Sequence, residues 1–211
     1  QGGRGRHTQM VLPMIEYTTG NLLDADTDAL VNTVNTVGVM GKGIALQFKE
    51  QFPENFKRYA DACKRKELEP GKLLVTTEHT VSGDKTIINF PTKTEWYRKS
   101  SYKYIEAGLV ALAELIQRTG IRSMALPPLG CGHGGLDWKK VRPMIEQHLG
   151  HLGVRVVVYE PNEAVKAILQ KQEQRDAKLT PARAMLLHAL FDFERQGERA
   201  EAERCYRLAS T

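Results

Sequence analysis

Apolar and polar positions along the chain fall into short runs with a period of two and longer runs with a helical period. "MIEYT" (14–18) is a short β-type run closed by Gly20, and "ALVNTV" (29–34) is a second. Beyond "GVMGKGIALQF", Ile44, Phe48 and Phe52 recur every fourth residue, one face of a helix that Pro53 ends. "PENFKRYADACKRK" starts a second helix with Phe56, Tyr59 and Cys63 on one side. "KLLVTTEH" (72–79) and "KTIINF" (85–90) predict a hairpin around "SGD". Ile105, Leu109, Leu112 and Ile116 set the face of a long helix from about Ser100 to Gln117. A strand over 121–127, a helix over 138–151 and a β-branched strand over 154–160 complete the body. Strands alternating with helices predict an α/β sandwich with a mixed sheet. After Pro161 the character changes. Residues 162–177 read as a polar helix, and "TPARAMLLHALFDF" as a second with an apolar stripe through Ala182, Met185, Leu186, Ala189, Leu190 and Phe193.

Composition changes this picture little. With 41% hydrophobic and 26% charged residues, the 211-residue chain reads as soluble and globular. The net charge of +5 is spread thinly: residues 14–160 hold 19 basic and 17 acidic side chains. That balance argues against a long footprint on duplex DNA and leaves room for one local basic patch. Cys63, Cys131 and Cys205 form no CxxC pair, which argues against a zinc knuckle or a disulfide framework and for a reducing, cytoplasmic setting. The six histidines are scattered, and no metal site or cofactor is expected. No apolar run reaches the ~18 residues that would span a bilayer. Residues 1–13 are polar and glycine-rich, an N-terminal extension or expression remnant.

Chemistry concentrates in three loops that leave strands. "TGNLLD" follows the first strand. "VNTVNTVGVMGKGIA" carries glycines 38, 41 and 43, and "LPPLGCGHGGLDW" carries glycines 130, 132, 134 and 135. In open α/β sheets ligands bind at the carboxyl ends of strands. Glycine lets main-chain N–H groups approach an anion, and a helix N-terminus adds positive charge. Two such loops facing each other suit a diphosphate. Neither is a P-loop, since GxxxxGK[ST] is missing. "NFPTKTEWYRKS" adds Lys93 at the exit of an apolar strand, before Trp96 and Tyr97.

Together these motifs resemble the macrodomain, the ADP-ribose-binding module, over about 14–160. The resemblance implies a three-layer α/β/α macrodomain with a mixed sheet, followed by a helical C-terminal extension over 161–211. "NFPTK", Trp96, Ser100 and "YI" resemble the DarG branch, bacterial antitoxins that remove ADP-ribose from thymidine in DNA and oppose a DarT-type toxin. On that resemblance Asn21 and Leu22 lie at the adenosine end, Asn21 where an aspartate is usual. Asn35 faces the distal ribose. Gly41, Gly43 and Ile44 bind the diphosphate, together with Gly130, Cys131, Gly132, His133 and Gly134 of the second loop. Lys93 and Asn35 are the catalytic candidates, and Trp96, Arg98 and Ser100 the contacts to nucleobase or DNA. The expected partners are ADP-ribosylated single-stranded DNA and a DarT-type toxin, whose docking region residues 161–211 would begin. Protein-directed relatives pair the lysine with an aspartate, and Gly134 stands there instead. Asp137, three residues on, is expected to cap the next helix.

For Lys93 three roles stay open: a neutral amine attacking the ribose or trapping its aldehyde, an ammonium assisting the departing base, or a phosphate contact. The first requires a depressed pKa, which burial, Arg98 and Lys99 would favour. A reader of ADP-ribose without catalysis, or a hydrolase of O-acetyl-ADP-ribose or ADP-ribosylated protein, are the alternatives. Only a pure reader would have no need of Lys93.

Overall fold

The computed structural model describes residues 15–80 and 83–161. The helices expected over 162–177 and 180–193, and the N-terminal 1–13 segment, lie outside the described residues. The chain divides into units 1–161 and 162–211.

Six strands form one sheet: β1 (Ile15–Thr18), β2 (Ala29–Val34), β3 (Leu74–Thr80), β4 (Gly83–Pro91), β5 (Ser123–Leu126) and β6 (Arg155–Tyr159), in the order β1-β6-β5-β2-β4-β3. All neighbours pair in parallel except β3, which runs antiparallel to β4 at the edge. The mixed sheet is therefore a parallel core with one hairpin strand. Helices α1 (Gly43–Gln51) and α2 (Pro53–Lys64) cover one face, and α3 (Tyr102–Arg118) and α4 (Trp138–Leu149) the other.

The period of two decides which side chains meet which layer. Ala29, Val31, Ile88, Phe90, Met124, Leu126, Val156 and Val158 face α3 and α4. Leu30, Ile87, Ala125 and Val157 face Phe48 and Phe52 of the other layer. Phe90 lies so close to α3 that a β-carbon at Gly108 would stand 2.1 Å from its ring, so glycine is required there. Pro53 starts α2 at its first position, where its missing N–H costs nothing.

One buried layer is polar. Asn89 of β4 donates to Asn55 Oδ1 of α2 at 2.6 Å and accepts from Asn32 of β2 at 3.1 Å. Thr76 of β3 donates to Asn55 Oδ1 at 2.8 Å, and the Glu78 carboxylate accepts from the Asn55 main-chain N–H. That N–H belongs to the first turn of α2, so a carboxylate from a neighbouring strand caps the helix.

Candidate active site

Because five strands are parallel, their carboxyl ends share one edge, and the loops at 19–21, 35–42, 92–101 and 127–137 open there. The first of the two glycine loops is built around Asn35, which is 4% exposed. Its Oδ1 accepts from Val37 N (3.0 Å), Val39 N (3.3 Å) and the Tyr59 hydroxyl (3.0 Å), while Nδ2 donates to the Val39 carbonyl at 2.5 Å. Tyr59 also reaches the Asn35 carbonyl at 2.9 Å. Burial pushes the Tyr59 hydroxyl well above its ordinary pKa, so it stays a donor. Asn35 was expected to address the distal ribose. Its side chain holds the first loop together. The loop then enters α1 through Gly43 (φ 59°). The side chain of Lys42, its N-cap residue, makes no capping bond to α1, and the first amides of α1 lie at the site edge.

The second loop turns at Gly130 (φ 71°), with Leu136 N donating to the Gly130 carbonyl at 3.0 Å. It meets the first loop directly: a β-carbon on Gly43 would stand 3.2 Å from His133 Cδ2. Gly41, Gly43, Gly132 and His133 are exposed, whereas Cys131 is buried with its thiol 3.5 Å from the Leu129 carbonyl. Asp137 caps α4 by accepting from Lys139 N at 3.0 Å, as its place in the sequence implies. The N-terminus of α4 is thereby capped by its own N-cap side chain.

The lysine segment after β4 is tied to both loops, at Thr36 of the first and Gly134 of the second. Thr92 N donates to the Val34 carbonyl (3.0 Å), and Thr36 donates to the Thr94 carbonyl from both N (2.9 Å) and Oγ1 (3.0 Å). Lys93 is half-buried, with Nζ donating to the Trp96 carbonyl at 3.2 Å. Burial lowers its pKa, the direction anticipated, but the basic neighbours are not the cause. Arg98 is ion-paired to Glu95 at 2.7 Å instead. Trp96 and Tyr97 are 58% and 65% exposed, edge to face with centroids 5.4 Å apart.

Two expected contacts require correction. Ser100 does not present its side chain to DNA. It is buried beneath the second loop, where its N–H donates to the Gly134 carbonyl at 2.9 Å and its Oγ would stand 2.2 Å from a β-carbon at Gly134. Leu22 is likewise buried, packed in the core with Phe48 and Phe52, so only its main chain could meet a ligand. Asn21 is exposed and at the site edge. Its Oδ1 caps a short 3-10 turn over Leu22–Asp24 by accepting from Leu23 N (3.2 Å), and its amide donates to Asp24 at 3.0 Å. The charge that Asn21 lacks thus stands three residues on. Ile44 is half-buried against the core, leaving its main chain for the ligand. Among the described residues no group of three His, Cys, Asp or Glu could hold a metal.

Sequence reading passed over Tyr59, Thr36 and the Asn32–Asn55–Asn89 layer. Tyr59 sits on the apolar stripe of α2 and looks like core, and nothing in its spacing betrays a hydroxyl aimed at Asn35.

A parallel α/β/α core with two glycine loops touching across its carboxyl edge, one opening onto a helix N-terminus, defines a nucleotide-binding architecture. The Macro domain model matches residues 31–145, and the chain belongs to that family. A protein of Thermus aquaticus named DNA ADP-ribosyl glycohydrolase is 49% identical over 175 residues, 82% of this chain and 49% of its own length. The solved macrodomain of Mycobacterium tuberculosis DarG is 52% identical at a TM-score of 0.69, covering 71% of this chain and 99% of that one. Thermosipho africanus DarTG, solved in complex with ADP-ribose, is 37% identical at 0.69, covering 72% and 43%. The chain spans about half the length of the curated relatives it matches.

Proposed function

We infer that this protein is a DNA ADP-ribosyl glycohydrolase that removes ADP-ribose from thymidine bases in single-stranded DNA. The observation that carries the reading is Lys93, a half-buried amine on a turn tied to both glycine loops, at a position a mere reader of ADP-ribose would not need. Similarity to the named glycohydrolases and to the ADP-ribose complex supports the substrate. The main-chain amides of 41–44 and 130–134 hold the diphosphate, Asn21 and the Leu22 main chain lie at the adenosine end, and Asn35 acts by shaping the first loop. Trp96 stacks on a nucleobase, a contact worth about 1–3 kcal/mol, and Arg98 and Lys99 lie beside it.

Burial lowers the Lys93 pKa, the direction that a nucleophilic amine needs. Lys93 attacks the distal ribose C1, and the C1–N bond breaks with its electron pair leaving on thymine, which takes up the proton released by the amine. Water then adds at C1, frees ADP-ribose and restores the lysine, so the reaction balances without a cofactor. A DarT-type toxin that writes the modification is the fitting partner, and both would act in the cytoplasm. Lys93→Ala tests the reading. It should abolish release of ADP-ribose from an ADP-ribosylated thymidine oligonucleotide while calorimetry still finds ADP-ribose bound. Full activity in that variant would end the proposal.

A further inference from the structure

The turn that carries Lys93 is closed mostly on itself. Lys93 donates to the Trp96 carbonyl, Thr94 Oγ1 to Glu95 at 2.5 Å, Arg98 pairs with Glu95, and Arg98 N donates to the Glu95 carbonyl at 3.2 Å. Such a turn is rigid inside but needs outside anchors to hold its place. Among the described residues, those beyond the strand ladder are Ser100 N on the Gly134 carbonyl at its far end and Thr36 on the Thr94 carbonyl at its near end. The main-chain half of the Thr36 anchor continues the β2–β4 pairing past Val34↔Pro91, and any residue at 36 other than proline would supply it. The hydroxyl half is particular to a Ser or Thr. It adds a second donor to the Thr94 carbonyl, one residue after Lys93, and so pins the turn just beyond the lysine to the first loop. Thr36 itself belongs to the first ligand loop, one residue after Asn35.

We propose that the Thr36 hydroxyl is a positioning group for Lys93: it locks the lysine turn to the ADP-ribose loop and so sets where the amine stands relative to a bound ribose. This rests on the reading of Lys93 given above. It predicts a division of effects. Thr36→Val keeps the shape and the main-chain bond but removes the hydroxyl. Loss of one such bond lowers kcat by about three- to tenfold. The affinity for ADP-ribose, set by other amides, stays within about twofold of wild type by calorimetry, because none of those amides moves. Thr36→Ser, which restores the hydroxyl, restores kcat.

The experiment measures kcat and KM on an ADP-ribosylated thymidine oligonucleotide for wild type and both variants, with ADP-ribose affinity alongside. Unchanged kcat in Thr36→Val overturns the proposal. So does an equal loss of kcat and ADP-ribose affinity, which would make Thr36 a loop residue only, and so does failure of Thr36→Ser to recover, which would make bulk rather than hydroxyl the cause. A readout independent of catalysis separates this from the functional reading. With lysines dimethylated by 13C-formaldehyde, the Lys93 signal, assigned through Lys93→Arg, should shift its titration midpoint in Thr36→Val. If wild type proves inactive on DNA yet that shift appears, the proposed activity fails and the positioning contact stands.

Discussion

Gly134→Ala offers a sharp test of the second loop. Gly134 has no positive φ, so an alanine there is not strained by its backbone, and only space is at issue. An added β-carbon would stand 2.2 Å from Ser100 Oγ, 2.3 Å from the Gly130 carbonyl oxygen and 2.8 Å from Ser100 Cβ. To reach the 3.0 Å below which real β-carbons essentially never approach, the Gly130 carbonyl must retreat by about 0.7 Å, and by about 1 Å for relaxed contact. Overpacking of this kind costs roughly 1–3 kcal/mol of stability. A displacement near 1 Å in a ligand-positioning loop weakens binding by up to about 100-fold. Titration calorimetry with ADP-ribose should therefore show a Kd raised by about 10- to 100-fold, with a melting temperature lowered by several degrees. Adding Ser100→Gly removes two of the three clashes but not the carbonyl, which is main chain, so the double variant should not recover. An ADP-ribose Kd within twofold of wild type in Gly134→Ala would refute the argument that this loop grips the ligand, and recovery in the double variant would refute the assignment of the clash.

Three further outcomes are expected. Tyr59→Phe removes the donor shared by the Asn35 carbonyl and Oδ1 in a buried site, which should lower stability by about 1 kcal/mol and weaken ADP-ribose severalfold; urea denaturation and calorimetry check both, and no change in either defeats the role given to Tyr59. Glu78→Gln keeps an acceptor for the α2 amide but removes its charge, so thermal melting should register a loss of about 1 kcal/mol, with activity retained at temperatures where the variant is folded. For Lys93, burial sets the folded pKa below the ordinary value near 10.4. If the neutral amine reacts, kcat/KM rises with pH and levels off above that pKa; a profile that falls through the same range would assign the reaction to the ammonium.

The outline of the fold was legible from periodicity. All six strands and four helices lie where alternating or fourfold-spaced apolar residues place them, with Pro53 dividing α1 from α2 as its chemistry demands. β5 is shorter than the apolar run suggests, Ser123–Leu126 within 121–127, because pairing with β2 and β6 ends before Pro127. The glycine loops were legible as strand-to-helix turns, with Gly38, Gly43, Gly130 and Gly135 at positive φ. What stayed hidden was long-range and polar. Asn32 and Asn89 occupy inward strand positions that pattern assigns to apolar residues, and only the arrival of α2 with Asn55 makes them at home. Ser100 was misjudged for the same reason. Its partner is a carbonyl 34 positions away, which no local spacing encodes. Asn35 was singled out for its place in the first glycine loop, but a one-dimensional reading could not see that Tyr59 and its own loop engage its side chain.

That engagement separates two properties that proteins usually vary together. Because the first loop is tied from within by Asn35, whatever anion it receives meets peptide groups, and the side chains of Val37 and Val39 project outward, 48% and 40% exposed. Evolution, or a protein engineer, can rewrite those two outward positions to suit a different macromolecule attached to the same nucleotide, while the peptide scaffold beneath them is left untouched.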